Sequence, residues 1–262
     1  MRKKMSFPVL LLLSWLLLTA AGPLALSLHP SEIHLERRLE GPSSGFPLGT
    51  DELGRDLLSR IVFGSRLSLK LTIVSLSLSL LLGGLLGALA GFKGGVADLA
   101  ISRLIDLLLA LPGILLAILI LAFFKRGEFS LVLALTISSW VGYARTARAM
   151  ARQLRDQSFM EAACLSGGGF LFIFRKHLLP NIFPVLGAQA TIGAASIIMA
   201  ESGLSFLGLG VPPPAPSLGG ILTNGCDYLL EAPHIIIFTS ISMLSVLWGL
   251  YKVADDFRTM KV

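Results

Sequence analysis

The sequence predicts an all-α integral membrane protein with about six transmembrane helices. Three observations carry this. Apolar residues gather in blocks of roughly 20 or more, the length at which a helix rising about 1.5 Å per residue crosses about 30 Å of hydrocarbon. Hydrophobic residues make up 54% of the 262 positions and charged residues 15%, where a soluble domain is about a quarter charged. The mean hydropathy is +0.78. The cations stand in short clusters beside the apolar blocks, as topology signals do. The net charge of +6 therefore points to a lipid surface and not to nucleic acid.

The first span is read over Phe7–Leu28, giving a first transmembrane unit at 1–28. Arg2-Lys3-Lys4, an apolar run and the small residues Thr19-Ala20-Ala21 also have the layout of a secretory signal peptide. The apolar run continues past that point to Leu28, which favours a retained helix. An external segment follows at 29–66. The core is expected at 67–253, with spans near Leu67–Phe92, Val96–Phe124, Phe129–Met150, Ile182–Leu207 and His234–Val253. A tail at 254–262 closes the chain.

Lys and Arg set the orientation. Arg2, Lys3 and Lys4 precede the first span, and Arg145, Arg148, Arg152 and Arg155 end the fourth. Arg175 and Lys176 precede the fifth, and Lys252, Arg258 and Lys261 accompany the end of the sixth. Six spans with a cytosolic N-terminus put all of these in the cytosol. Arg37, Arg38, Arg55, Arg60 and Arg66 in the external segment, with Lys125 and Arg126, run against this pattern.

Within Gly49–Leu69, GTDELGRDLLSRIVFGSRLSL, a turn at Gly49-Thr50-Asp51 leads into a short amphipathic helix. Asp51, Glu52, Arg55, Asp56 and Arg60 are spaced to pair at i,i+3 and i,i+4. Leu53, Leu57, Leu58 and Ile61 form its apolar side, as in a helix lying on the outer membrane face.

Charges inside spans call for a functional reading by default. Lys70 lies near a span end, where it can snorkel. Asp98, Arg103 and Asp106 fall in the third span, and the i,i+3 spacing of Arg103 and Asp106 suggests a structural ion pair. Glu201, beside Ser202 and Ser205, has no charged neighbour along its helix. It is read either as lining the central path or as pairing across a subunit interface.

The chain offers no catalytic centre of its own. It contains no GxxxxGK[ST] phosphate loop, since Gly167-Gly168-Gly169 is followed by Phe170. It shows no Ser/His/Asp or Cys/His arrangement placed for catalysis. Cys164 and Cys226 fall on opposite sides of the membrane and are not expected to pair. His29 and His34 are five apart without metal-ligand company, so no metal site is expected.

The polar loop at 151–181 contains EAACLSGGGFLFIFRKHLLPN from Glu161 to Asn181. A helix is expected from Asp156 to Leu165, broken by the three glycines. A second, apolar-rich helix is expected from Phe170 to Leu179, ended by Pro180, with Asn181 capping the fifth span. The Glu-Ala-Ala, the following Gly and the spaced Leu-Pro resemble the EAA loop of binding-protein-dependent importer permeases. Three further segments resemble the dipeptide, oligopeptide and nickel branch of that family. They are Gly49–Leu69, GFKGGVADLAISRLIDLLLALP from Gly91 to Pro112, and SGLSFLGLGVPPPAPSLGG from Ser202 to Gly220.

The resemblance implies the type I ABC importer permease fold and a C-type permease subunit in a bacterial or archaeal cytoplasmic membrane. It implies coupling to an ATPase through Glu161, Ala162, Ala163, Gly167, Leu179 and Pro180. ATP and Mg would be held by two partner ATPase subunits, with no cofactor on this chain. A homologous sister permease would complete the path as a heterodimer. An external solute-binding protein would dock outside, on Asp51, Glu52, Arg55 and Asp56 and on the proline-rich Val211–Gly220 loop. Glu201, Ser202 and Ser205 are the candidates for the path. Peptides are the first expectation as solute, nickel or another metal chelate the second. An ATP-independent channel or secondary transporter is the alternative of a different class. His177, the triple Gly and the 251–258 ending depart from the family pattern.

Overall fold

A computed structural model describes residues 7–25 and 28–259, apart from a few side chains. Arg2, Lys3, Lys4 and Lys261 lie outside the described residues, as do the side chains of Cys164 and Arg258. Helices α1 Phe7–Ala25, α2 Leu57–Lys93, α3 Gly95–Leu109, α4 Gly113–Phe123 and α5 Glu128–Arg155 make the first half. Then come α6 Ser158–Leu165, α7 Phe170–Ile173, a π-turn at Phe174–Leu178, α8 Leu179–Phe206, α9 Leu218–Asp227 and α10 Pro233–Thr259.

Three helical stretches are long and apolar enough to cross a membrane: Leu57–Lys93, Phe170–Phe206 and Pro233–Asp256. The pair α3 and α4 makes a fourth if it is one bent span. Of the six expected spans, the first has a shorter apolar stretch, Phe7–Gly22. The fourth, α5, carries four arginines from Arg145 onward and fails on apolarity.

The third expected span is not one straight helix. It bends by 90° between Leu109 and Gly113. Pro112 has no N–H to continue the ladder, and its ring pushes Leu111 out of helical geometry. Pro112 therefore stands at the N-cap of α4 with ψ 133°.

The expected surface helix before the second span is also different. Residues 50–56 form a tight non-helical turn, closed by an antiparallel bridge between Thr50 and Asp56. Helix α2 begins only at Leu57, where the Asp56 carboxylate accepts from Ser59 N at 2.9 Å. Leu57 and Ile61 are buried against Leu218, Ile221 and Ile235 and do not lie on a membrane face.

Helix α2 is the spine of the bundle, and it is polar inside and apolar outside. Ser68, Thr72, Ser75, Ser79, Gly83, Gly87 and Gly91 are buried. Ile73, Val74, Leu78, Leu81 and Leu82 are exposed, as a lipid-facing surface requires. Lipid tails are as apolar as leucine, so close backbone approach takes over from hydrophobic burial in holding such helices together. A Cβ on Gly83 would lie 2.4 Å from the Trp140 carbonyl oxygen, and one on Gly91 would lie 2.2 Å from that of Arg148. The Gly-xxx-Gly-xxx-Gly row of α2 is thus the seat of α5.

Helix α1 packs Leu12 and Trp15 on Val246 and Leu247 of α10, and Ala195 and Ile198 of α8 complete that cluster. At one end of the bundle Met160, Ile173, Phe174, Leu178 and Ile182 gather beneath α6. At the other end α9 fills the space between the 50–56 turn and the start of α10.

Candidate functional site

Helix α6 is anchored chiefly by Met160. Met160 is 1% exposed and packs with Ala151, Ile173 and Leu178. That anchoring turns Glu161 and Ala162 outward, with Ala163 half-buried. Glu161 lies in the first turn, where the helix dipole favours an acid. It makes no ion pair among the described residues.

Gly167 ends α6. Its φ is +77°, the left-handed conformation that glycine takes without penalty after a helix. Ser166 N donates to Ala162 O at 3.0 Å and Gly168 N to Ala163 O at 3.2 Å, closing the last turn. The beginning of α7 then follows at Phe170.

The expected stop at Pro180 does not occur. Helix continues from α7 through the π-turn into α8, and Pro180 follows directly on that wider turn. Asn181 does not cap α8, and its Nδ2 donates to His177 O at 2.6 Å. Leu179 is half-buried and Pro180 exposed.

The resulting end surface is apolar and open. Leu165 is 89% exposed, Leu171 72% and Phe172 50%. A groove of about 640 Å³ runs between Phe159, Ala162, Ala163, the three glycines, Phe172 and His177. Lys176 Nζ sits 5.1 Å from the centre of the Phe172 ring, and Lys93 Nζ 4.9 Å from that of Phe170. An apolar patch bordered by two lysines and set at a chain turn is the kind of surface that partners use.

At the opposite end, the acidic and basic residues read as a docking set are tied into the fold. Asp51 is 1% exposed and accepts through Oδ1 from the N–H groups of Leu53 and Arg55, both at 2.9 Å. Its Oδ2 faces Arg55 Nε at 2.7 Å and Arg60 Nε at 3.0 Å. Glu52 accepts from Arg55 at 2.6 Å and from Asn224 Nδ2 of α9 at 2.9 Å. Asp56 caps α2. Asp51 and Arg55 therefore clamp the outer turn to the bundle and present little to a partner.

The path candidates are enclosed as well. Glu201 is fully buried, accepting from Ser68 Oγ at 2.7 Å and from Ser205 Oγ at 2.8 Å, with Ser202 Oγ at 3.5 Å. Within this chain alone its carboxylate has no exposed surface. Its partner Ser68 lies on α2, 133 residues away.

The ion pair expected between Arg103 and Asp106 is replaced by another. Asp98 of α3 receives Arg148 at 2.5 Å and Arg152 at 2.6 Å from α5. Sequence reasoning missed this pairing. Its signal was the i,i+4 spacing of Arg148 and Arg152, which puts two guanidiniums on one face. Lys70 does meet a partner, Glu128 at the start of α5.

Comparison with known proteins gives a consistent result. The family described as binding-protein-dependent transport system inner membrane component matches residues 83–256. The dipeptide transport system permease protein DppC of Alkalihalophilus pseudofirmus is 34% identical over 250 residues, 95% of this chain and 82% of that protein. The di/tripeptide transport system permease protein DppC of Pseudomonas aeruginosa is 40% identical over 220 residues, covering 84% and 73%. The oligopeptide transport system permease protein OppC of Bacillus subtilis is 32% identical over 217 residues, covering 83% and 71%. Among solved structures, an inward-facing conformation of the MetNI methionine ABC transporter superposes with a TM-score of 0.61 at 20% identity. It covers 76% of this chain and 95% of that one, a likeness of fold.

Proposed function

This chain belongs to the family of binding-protein-dependent transport system inner membrane components, and on that premise we propose that it is a peptide-importing permease subunit driven by a separate ATPase. Membership makes it a multi-pass inner-membrane component of an ABC importer, not itself catalytic. Peptide as solute is supported by relatives whose names specify dipeptides, tripeptides or oligopeptides, at up to 40% identity over most of both chains.

The observation that carries the coupling role is the end surface on α6 and α7. It combines a carboxylate at Glu161 with no ion pair among the described residues, small residues at Ala162 and Ala163, a fixed turn at Gly167 and exposed Leu165, Leu171 and Phe172. An ATPase subunit, which would hold ATP and Mg, docks on it. A homologous sister permease completes the path, a second ATPase couples to that sister, and an external solute-binding protein delivers the peptide to the opposite end. There the proline-rich loop offers the more exposed ground, Pro212 to Ala215 being exposed.

The test is ATP-dependent uptake of a labelled dipeptide into proteoliposomes holding the full complex. Uptake that needs ATP, the binding protein and this chain together supports the assignment. Uptake that proceeds without ATP overturns it.

A further inference from the structure

The residues first read as path-lining are buried, so the water-facing wall has to be sought elsewhere. One face of α5 and a facing part of α8 leave an open groove of about 580 Å³. Its lining is Gly142, Arg145, Thr146, Arg148, Ala149 and Gln189. That volume is within the roughly 300–1,000 Å³ of small-molecule sites. The groove is mostly polar or small, unlike the leucine-rich outward face of α2.

Arg145 is the informative member of this lining. It stands ten residues before Arg155 at the end of α5, and Gln189 stands ten residues after Leu179 at the start of α8. Along α5, Arg145 is therefore about 15 Å from Arg155. A Cβ on Gly142 would lie 3.6 Å from Gln189 Nε2, so the two helices meet the groove side by side. Arg148, also on the lining, is neutralised by Asp98 at 2.5 and 3.0 Å. Arg145 is exposed and has no ion pair or hydrogen-bond partner among the described residues. A guanidinium with no counter-charge among the described residues needs water or an anion in front of it.

We propose that this groove is the chain's wall of the solute path, and that Arg145 is the cation that receives a carboxylate of the passing solute. Gln189 offers an amide donor and acceptor on the facing helix. The assignment rests on the permease reading. Arginine suits the task because its planar fork binds a carboxylate through two parallel hydrogen bonds. Gly142 and Ala149, one turn away on either side, leave the groove open in front of it. A peptide always carries such a carboxylate at its C-terminus, so one cation serves every side-chain sequence.

The experiment uses the full complex with Thr146→Cys as reporter, in a Cys164→Ser, Cys226→Ser background. Membrane-impermeant thiosulfonates of opposite charge, sulfonatoethyl and trimethylammonioethyl, are compared. Expected is labelling by both from water, with the anionic reagent favoured by about tenfold and that preference lost in Arg145→Gln but kept in Arg145→Lys. Dipeptide uptake should fall by about tenfold in Arg145→Gln and recover in part in Arg145→Lys. No labelling at Thr146→Cys would overturn the proposal by showing the groove closed to water. So would a charge preference that Arg145→Gln leaves unchanged, as expected if a partner's acid neutralises Arg145. Unaltered uptake in Arg145→Gln overturns the carboxylate role. A wild-type complex without ATP-dependent uptake defeats the permease reading instead, and the labelling ratio still decides the nature of the groove.

Discussion

Gly87 and Ala144 meet backbone to backbone: a Cβ on Gly87 would lie 2.2 Å from the Ala144 carbonyl oxygen. Even Gly87→Ala must therefore push α2 and α5 apart. The expected cost is about 1–3 kcal/mol, the range for overpacking a tight core. Gly187→Ala, with nothing within 4 Å of the added carbon, is the control. Heat-induced loss of monodisperse protein in detergent should come earlier for Gly87→Ala and no earlier for Gly187→Ala.

Glu201 acts as an acceptor for hydroxyls from two helices. Glu201→Gln keeps an acceptor and the shape, so peptide uptake should persist. Glu201→Leu strands the Ser68 and Ser205 hydroxyls and should destabilise by about 1–3 kcal/mol for each buried group left unpaired. A Glu201→Gln protein that melts normally yet carries no peptide would show that the carboxylate itself is needed for transport.

Asp98 joins α3 to α5 through two arginines. Both arginines are partly open to solvent, with side chains 27% and 52% exposed. Asp98→Asn should accordingly cost only about 1–3 kcal/mol. Asp98→Asn with Arg148→Gln should cost less than the two single changes added, because they share one interaction. Additive losses in a denaturation series would remove the pair from the account.

Leu165→Glu and Glu161→Lys test the end surface. Leu165 is 89% exposed, so its replacement should leave the melting curve unchanged. If an ATPase docks there, co-purification of that subunit with Leu165→Glu should drop at least tenfold, about 1.4 kcal/mol of binding. Glu161→Lys combined with Gly167→Asp should abolish uptake while assembly is retained. Full uptake in both would move the docking surface elsewhere.

Gly167→Val meets a different obstacle. A β-branched residue forced to φ +77° costs about 1–2 kcal/mol. Limited proteolysis should then cut between α6 and α7 faster than in the parent chain. Gly169, at φ −63°, is in ordinary extended backbone, and Gly169→Val should not change the cleavage rate.

Much of this architecture is legible from residue spacing. The block at Leu67–Phe92 lies wholly within α2, and a helix expected over Asp156–Leu165 meets α6 at Ser158–Leu165. The misses have a common physical cause: local rules yield to distant partners. Arg103 and Asp106 satisfy the i,i+3 rule, yet the acid that matters is Asp98, answered from α5. Asp51, Glu52 and Arg55 have helical spacing, but Asp51 folds its turn around Arg60 and its own backbone amides. Glu201 looked unpartnered because Ser68 is far away in sequence. The bend at Pro112 was hidden by apolar residues that continue on both sides of it, since hydropathy carries no record of direction. Arg145 was visible only as a topology signal, and its exposure beside Gln189 needed the packing of α5 against α8.

The helical run from Phe170 to Phe206 passes the π-turn and Pro180 as one apolar stretch of 37 residues. At about 1.5 Å per residue its length is roughly 55 Å. Tilting such a rod by about 5° around its Gly169 end sweeps Phe206 through about 5 Å. If the run moves as one body, a change of angle too small to break a hydrogen bond inside it displaces its far end by more than the width of a water molecule.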